Sequence, residues 1–162
     1  MKVSLIDLRD GTDLEQRIPK EDDGSTGLIL VAHGSSSSLT GLSVDNLPIF
    51  GSTKLIWLYA CNCGQTLIHE IAQKGVKVFG YITAVLAPVS FQSLEDSVPG
   101  YIRTALSEYG GEIATSPVLR HVQESLFHKA TSMFEQAKNE HDGILLMKAL
   151  LINHSRLTLR CS

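Results

Sequence analysis

Two apolar runs dominate the hydrophobic pattern of the chain, and each ends in a residue that can take part in chemistry. Residues 28–32 lead into His33 and Gly34, and residues 55–60 lead into Cys61. Short apolar runs of this kind, bounded by glycine or polar turns, are typical of strands buried on both faces of a parallel sheet. Because ligands bind outside the carboxyl ends of such strands, we expect His33 and Cys61 to meet at one rim of the sheet.

The second run continues into a strand–helix–strand pattern. Residues 76–85 form a further β-rich run, and Gly75 before them is a typical helix stop. The pattern therefore predicts a βαβ unit with Cys61 at its first turn, and residues 3–8 are a candidate earlier strand. Between the cysteine turn and Gly75 the apolar residues recur at helical spacing: Leu67, Ile68, Ile71 and Ala72.

The pattern changes to helices in the second half of the chain. Amphipathic stripes over 98–109 and 118–137 predict two helices, the second with Ser116 as N-cap and Pro117 at its first position. The apolar block 144–152 fits either a helix or a buried strand, and Leu157 and Leu159 alternate with polar residues after it. We expect an α/β core over residues 1–116 and a helical C-terminal extension of the same domain over 117–162.

Composition narrows the class of protein. The 162 residues suit one domain, and 43% hydrophobic against 19% charged residues, with a net charge of −3, are typical of a globular chain without a nucleic-acid surface. No apolar run approaches the roughly 20 residues of a membrane span, and Asp7 and Asp10 interrupt the start where a signal peptide is apolar. Three cysteines, two of them too close for a relaxed disulfide, favour a reducing compartment. A cytoplasmic location without membrane contact is therefore predicted.

The residues at the two strand ends suit acyl transfer. A cysteine between a buried strand and a helix N-terminus lies in the positive field of the helix dipole, which favours the thiolate. His33 can take the thiol proton and later protonate a leaving amine. The amides of Gly34 and Cys61 can form an oxyanion hole. This set predicts thiolate attack on a carbonyl, a thioester, and hydrolysis, with no cofactor.

Other sites remain open from the residues alone. A free cysteine is often simply a buried core residue. Cys61, Cys63 and His69 could instead serve a zinc- or redox-responsive protein, although a second ligand pair is missing. The sequence has no Gly-x-Ser-x-Gly and no P-loop, which argues against a serine hydrolase of the nucleophile-elbow type and against a P-loop nucleotide site.

The order of these motifs resembles the core of the caspase-like cysteine peptidases, and most closely the CHAT domain. The similar segments are Ile-Leu-Val-Ala-His-Gly at 29–34, the leucine-rich 42–47, Leu-Ile-Trp-Leu-Tyr-Ala-Cys-Asn-Cys-Gly at 55–64, and 75–80. The resemblance implies a three-layer sandwich with a mostly parallel central sheet and helices on both faces. It also implies that Cys61 is the nucleophile, His33 the base, and the amides of Gly34 and Cys61 the oxyanion hole of a cysteine endopeptidase.

The resemblance also implies how a substrate binds. A protein or peptide would add as a strand along Tyr81, Ile82, Thr83 and Ala84. Tyr59 stands two residues before the nucleophile, where caspases carry glutamine and metacaspases aspartate, so the cleavage specificity is not carried over. Arg9 or Asp45 could supply a pocket charge instead. The alternative to an active peptidase is a catalytically silent module that binds a regulatory partner through its sheet edge or C-terminal helix.

Overall fold

A computed structural model of the chain describes residues 1–11, 26–40, 42–47, 50–63, 66–81, 85, 93–136 and 141–159. Within these ranges the chain forms seven strands, four α-helices and one short 3₁₀ turn at Val44–Asn46. The strands are β1 (Val3–Asp7), β2 (Gly27–Val31), β3 (Ser38–Leu39), β4 (Leu42–Ser43), β5 (Leu55–Tyr59), β6 (Lys77–Tyr81) and β7 (Leu157–Leu159). The helices are α1 (Thr66–Ala72), α2 (Val98–Glu108), α3 (Thr115–Gln136) and α4 (His141–Arg156).

The central sheet is mostly parallel, as predicted. Its strand order is β1-β2-β5-β6-β7. The first four of these strands run parallel, and β7 runs antiparallel to β6. The predicted βαβ unit is present as β5, α1 and β6. The end of the serine run and the start of the leucine-rich segment form a separate two-stranded antiparallel sheet of β3 and β4.

Both faces of the sheet are covered because the central strands are apolar at every position. All five residues of β2 and all five of β5 are buried. Since successive side chains point to opposite faces, Leu28 and Leu30 pack on the side of α1. Ile29 and Val31 pack on the side of α2, α3 and α4. The predicted three-layer α/β sandwich is therefore confirmed.

The helical half of the chain matches its sequence pattern with one correction. The apolar block that fitted helix or strand is helical, and Leu146, Ala149 and Leu150 are its buried residues within α4. The predicted N-cap of α3 is wrong, because the helix begins at Thr115 and Val118 already donates its amide to the Ala114 carbonyl. Pro117 is tolerated there because the first amides of a helix have no intrahelical acceptor.

Among the described residues, no helix is both long and apolar enough to cross a membrane.

Candidate functional site

The two reactive residues of the sequence lie at the ends of neighbouring strands. β2 pairs in parallel with β5, and Val31 stands opposite Tyr59. The Ala32 amide extends this pairing by donating to the Tyr59 carbonyl at 3.3 Å. His33 is exposed and Cys61 is partly exposed. Both side chains therefore follow the carboxyl ends of adjacent strands at one rim of the sheet, which we call the carboxyl rim.

Gly34 brings the chain after β2 into direct contact with the cysteine turn. A Cβ atom placed on Gly34 would lie 2.6 Å from the carbonyl oxygen of Cys61 and 2.9 Å from the Cβ of Ala60. Real side chains do not tolerate such distances to backbone atoms, so this position requires glycine. The close approach fixes the spacing between the residue after His33 and the backbone of Cys61.

Among the described residues, the backbone amides of Gly34 and Cys61 donate no hydrogen bond to a neighbouring strand. Gly34 forms a bridge with Leu39, but the hydrogen bonds of that bridge run from Ser35 to the Ser38 carbonyl and from Thr40 to the His33 carbonyl. Within the described part of the chain, neither the Gly34 nor the Cys61 amide donates to a backbone carbonyl. These are the two amides from which the sequence predicts an oxyanion hole.

The serine run after Gly34 has a structural role that the sequence did not indicate. The amides of Thr66 and Leu67, the first two of α1, both donate to the Ser36 carbonyl at 3.0 Å. The serine loop therefore caps α1. Because α1 begins five residues after Cys61 and its first amides are directed at Ser36, the expected activation of Cys61 by the helix dipole has no support, since that effect fades beyond the first turn.

Cys63 is a core residue. Asn62 adopts a left-handed backbone conformation with φ of 56°, and the chain then turns inward. The Cys63 thiol is fully buried and donates to the Ala60 carbonyl at 3.3 Å. Gly80 leaves room for it, because a Cβ there would lie 3.0 Å from the Cys63 sulfur and 2.7 Å from Ile68. Burial raises the pKa of Cys63 to about 11, so its thiol stays protonated at neutral pH.

The metal alternative finds no ligand set in the described ranges. No group of three or more histidine, cysteine, aspartate or glutamate side chains there could hold a metal ion. Cys63 points into the core, whereas His69 is exposed on α1. Of the residues considered for zinc, only Cys61 and His69 are open to solvent.

The two tyrosines expected at the substrate site lie in the core instead. Tyr59 and Tyr81 are both buried, and their rings meet edge to face with centroids 5.6 Å apart. They belong to the core that packs under α2, α3 and α4. Alternation along β5 and β6 directs both side chains to the face of the sheet that α2, α3 and α4 cover. The other expected contacts, Ile82, Thr83 and Ala84, lie outside the described residues.

One of the two candidate pocket charges, Arg9, already forms an ion pair within the chain. Arg9 follows β1 at the same rim, and its guanidinium donates to the Asp7 carboxylate from Nε to Oδ1 at 2.9 Å, from Nε to Oδ2 at 3.1 Å and from Nη2 to Oδ2 at 2.7 Å. The hydrogen bond from Arg9 lowers the pKa of Asp7 from its ordinary value. Asp45, the other candidate, is exposed in the 3₁₀ turn after β4. Both charged residues are therefore exposed, and the charge of Arg9 is paired with Asp7.

The edge of β6 is occupied by the chain itself. β7 pairs with it in the register Phe79 to Leu159, Gly80 to Thr158 and Tyr81 to Leu157. The alternation of Leu157 and Leu159 is visible in the sequence, but the sequence does not indicate which strand they pair with. Period alone shows that a segment is extended and does not show which edge it joins.

Comparison of the chain with protein-family models, curated proteins and solved structures finds no match. The carboxyl rim carries an exposed histidine and a partly exposed thiol on adjacent strand ends.

The buried thiol gives a pH-dependent stability that can be measured. The pKa of Cys63 is raised from 9.0 to about 11 in the folded protein. Its contribution to the free energy of unfolding is therefore complete below pH 9 and is lost as the pH rises through 11, because the thiol of the unfolded chain ionises at the lower pH. We expect a loss of about 2–3 kcal/mol in the free energy of unfolding over this range. Urea unfolding at pH 8 to 11 measures it.

The matched control is Cys63→Ala, whose unfolding free energy should fall less steeply over the same pH range. Tyr81, whose pKa is also raised by burial, is present in both proteins. Identical slopes in the two proteins would contradict the assignment of this titration to Cys63.

Proposed function

We propose that the chain is a cysteine endopeptidase, of the caspase-like kind that its motifs resemble, acting in the cytoplasm on protein or peptide substrates. The observation that carries the proposal is the pairing of β2 with β5, which brings His33 and Cys61 to neighbouring strand ends with both residues open to solvent. A thiol beside an imidazole at the ligand-binding rim of a parallel sheet suits nucleophilic acyl transfer.

The reaction follows from these groups in two stages. His33 takes the proton of the Cys61 thiol, and the thiolate sulfur attacks the peptide carbonyl carbon. The carbonyl oxygen becomes an oxyanion that accepts hydrogen bonds from the amides of Gly34 and Cys61. The oxyanion collapses, the C–N bond breaks, and the leaving amine takes the proton from His33, which leaves a thioester on Cys61.

The second stage returns the enzyme to its starting state. His33 removes a proton from water, and the hydroxide adds to the thioester carbon. Collapse of this second tetrahedral intermediate breaks the C–S bond and releases the carboxylic acid product, and the leaving sulfur takes the proton from His33, which restores the Cys61 thiol and the neutral base. No redox agent or external group is consumed in either stage.

The cleavage preference requires measurement, since the core position of Tyr59 argues against a direct contact with the substrate. Turnover of a peptide library by the unchanged chain tests the proposal most directly. A preference for basic residues would favour Asp45 as the pocket charge. A complete lack of turnover and of Cys61 labelling by electrophilic peptides would contradict the proposed activity.

Replacing His33 with alanine is expected to reduce peptide hydrolysis by about 10²–10⁴-fold, the usual worth of a positioned general base. The rate of Cys61 labelling by an electrophilic peptide, read by intact mass, should fall in parallel. His69→Ala is the matched control, because His69 is also exposed but lies on α1. Unchanged labelling in His33→Ala would exclude His33 as the base.

A second candidate function is a protein-interaction module without catalysis. Two aromatic residues of α3, Phe127 and Phe134, are 49% and 58% exposed and are seven positions apart, which places them on the same side of the helix. Exposed apolar residues grouped in this way favour a binding surface. This function does not need the thiol, so partner binding that survives Cys61→Ala unchanged would favour it.

A further inference from the structure

The edge of β6 is the place where β7 joins the sheet. β6 follows β5 in the strand order, and β5 ends next to Cys61. Beyond β6 the next strand is β7, which runs antiparallel to it and has no further strand beside it in the described sheet. The segment Leu157–Leu159 therefore occupies the sheet edge that lies one strand away from the nucleophile.

The register places the first residue of β7 at the end of β6 that lies nearest the carboxyl rim. Leu157 stands opposite Tyr81, the last residue of β6, and Leu159 stands opposite Phe79, which is farther from the rim. A peptide in the same place would have one end directed toward the carboxyl rim where Cys61 lies. Backbone hydrogen bonds to a sheet edge are a general way to hold an extended peptide.

We propose that β7 is an exchangeable strand that occupies, within the chain, the edge of β6 at which an extended peptide substrate binds. The proposal rests on the proposed peptidase function for the chemistry that follows binding. The strand also defines the class of ligand: an extended peptide that pairs antiparallel with β6 and places alternate residues opposite Phe79 and Tyr81. In β7 these alternate residues are both leucine, with threonine between them.

The size of the strand makes exchange feasible. β7 spans three residues, whereas the neighbouring strands β2, β5 and β6 span five each. A three-residue edge strand contributes few backbone hydrogen bonds, each of modest net strength, and such elements open more readily than central strands. A peptide that pairs with more of the edge can therefore compete with β7.

The test uses the full-length chain with the double substitution Thr158→Pro and Leu159→Pro. Amides of successive strand residues point to opposite sides, so two consecutive prolines remove at least one amide that faces β6. The matched control, Thr158→Val with Leu159→Ile, keeps both amides and suits a strand. The probe is a fluorescein-labelled peptide of sequence Leu-Thr-Leu-Arg, which carries no reactive group, and its binding is followed by anisotropy.

The double proline variant is expected to bind the probe at least about tenfold more tightly than the unchanged chain, because the competing strand has lost its pairing. The control should bind like the unchanged chain. Equal affinity in the proline variant and the unchanged chain, or no binding to either, would overturn the proposal. The emission of Trp57, the one tryptophan of the sequence, which stacks on Phe79 of β6, reports whether the variant keeps its core.

Hydrogen exchange on the unchanged chain keeps the proposal testable if the proline variant fails to fold. The amides of β7 should exchange at least about tenfold faster than those of β5, and equal protection of the two strands would overturn the exchangeable role. Labelling of Cys61 by an electrophilic peptide separates the two proposals. Probe binding without labelling of Cys61 would support the strand proposal and reject the peptidase. Labelling of Cys61 at the same rate in the proline variant and the unchanged chain would support the peptidase and reject the strand proposal.

Discussion

Replacing Cys61 with alanine is expected to reduce peptide hydrolysis by at least about 10³-fold, because the thioester route needs the sulfur and no other nucleophile is assigned to the rim. The side chain is only partly buried, so its removal leaves a small core effect. We expect the free energy of unfolding to change by less than about 1 kcal/mol. Steady-state hydrolysis of the preferred library peptide and urea unfolding measure the two quantities.

Cys63→Ala is the control for this experiment, and it should give the opposite pattern. The Cys63 thiol packs in the core and remains protonated near neutral pH, so its loss should lower stability while leaving labelling of Cys61 intact. A loss of activity in Cys63→Ala with full activity in Cys61→Ala would transfer the nucleophile to the buried thiol and contradict the proposed site.

Replacing Gly34 with alanine is expected to disturb both stability and activity. The new Cβ would lie 2.6 Å from the Cys61 carbonyl oxygen, a backbone atom that cannot rotate away. Overpacking of this kind costs about 1–3 kcal/mol in the free energy of unfolding. The strain is relieved when the backbone at Gly34 moves away from the backbone at Cys61, and this movement also separates His33 from Cys61. We therefore expect hydrolysis to fall by about 10²-fold, the usual effect of a 1 Å misplacement.

Gly110→Ala provides the matched glycine control, because a Cβ at Gly110 would have no atom within 4 Å. That variant should keep its stability within about 0.5 kcal/mol and its full activity. Kinetics at saturating peptide and urea unfolding distinguish the two glycines. If Gly34→Ala behaved like Gly110→Ala, the close approach of the two strand ends would have no part in the proposed site.

The two glycines of the site illustrate how backbone contacts constrain side-chain identity. Gly34 is needed because the chain passes against the Cys61 carbonyl, and Gly80 is needed because Cys63 and Ile68 fill the space beside it. In both cases the neighbour is distant in sequence. The alternation of apolar residues gave no reason to expect either contact, since a glycine after or inside a strand does not reveal which distant residue lies beside it.

The serine loop and the cysteine turn show a limit of motif reasoning. A cysteine before a helix suggested activation by the helix dipole, but the first amides of α1 are directed at the Ser36 carbonyl. Which acceptor satisfies a helix N-terminus depends on which loop lies near it. Ser36 lies about 30 residues before the first residue of α1. Local capping patterns do not span such a separation.

The sequence by itself determined the layers of this protein. Continuous apolar runs at β2 and β5 predicted strands buried on both faces, and helical spacing predicted α1, α2 and α3, because these periods depend only on local backbone geometry. It also placed His33 and Cys61 at strand ends, since each run stops at the residue concerned.

Only the tertiary structure decided how those elements meet. It made β2 and β5 neighbours, buried Tyr59, Tyr81 and Cys63, and seated β7 on β6. Strand order, register and the face that a turn residue takes are set by contacts between segments far apart in sequence, where one-residue shifts reverse every side chain. For that reason the sequence identified the candidate nucleophile, whereas the structure identified the strand that borders β6.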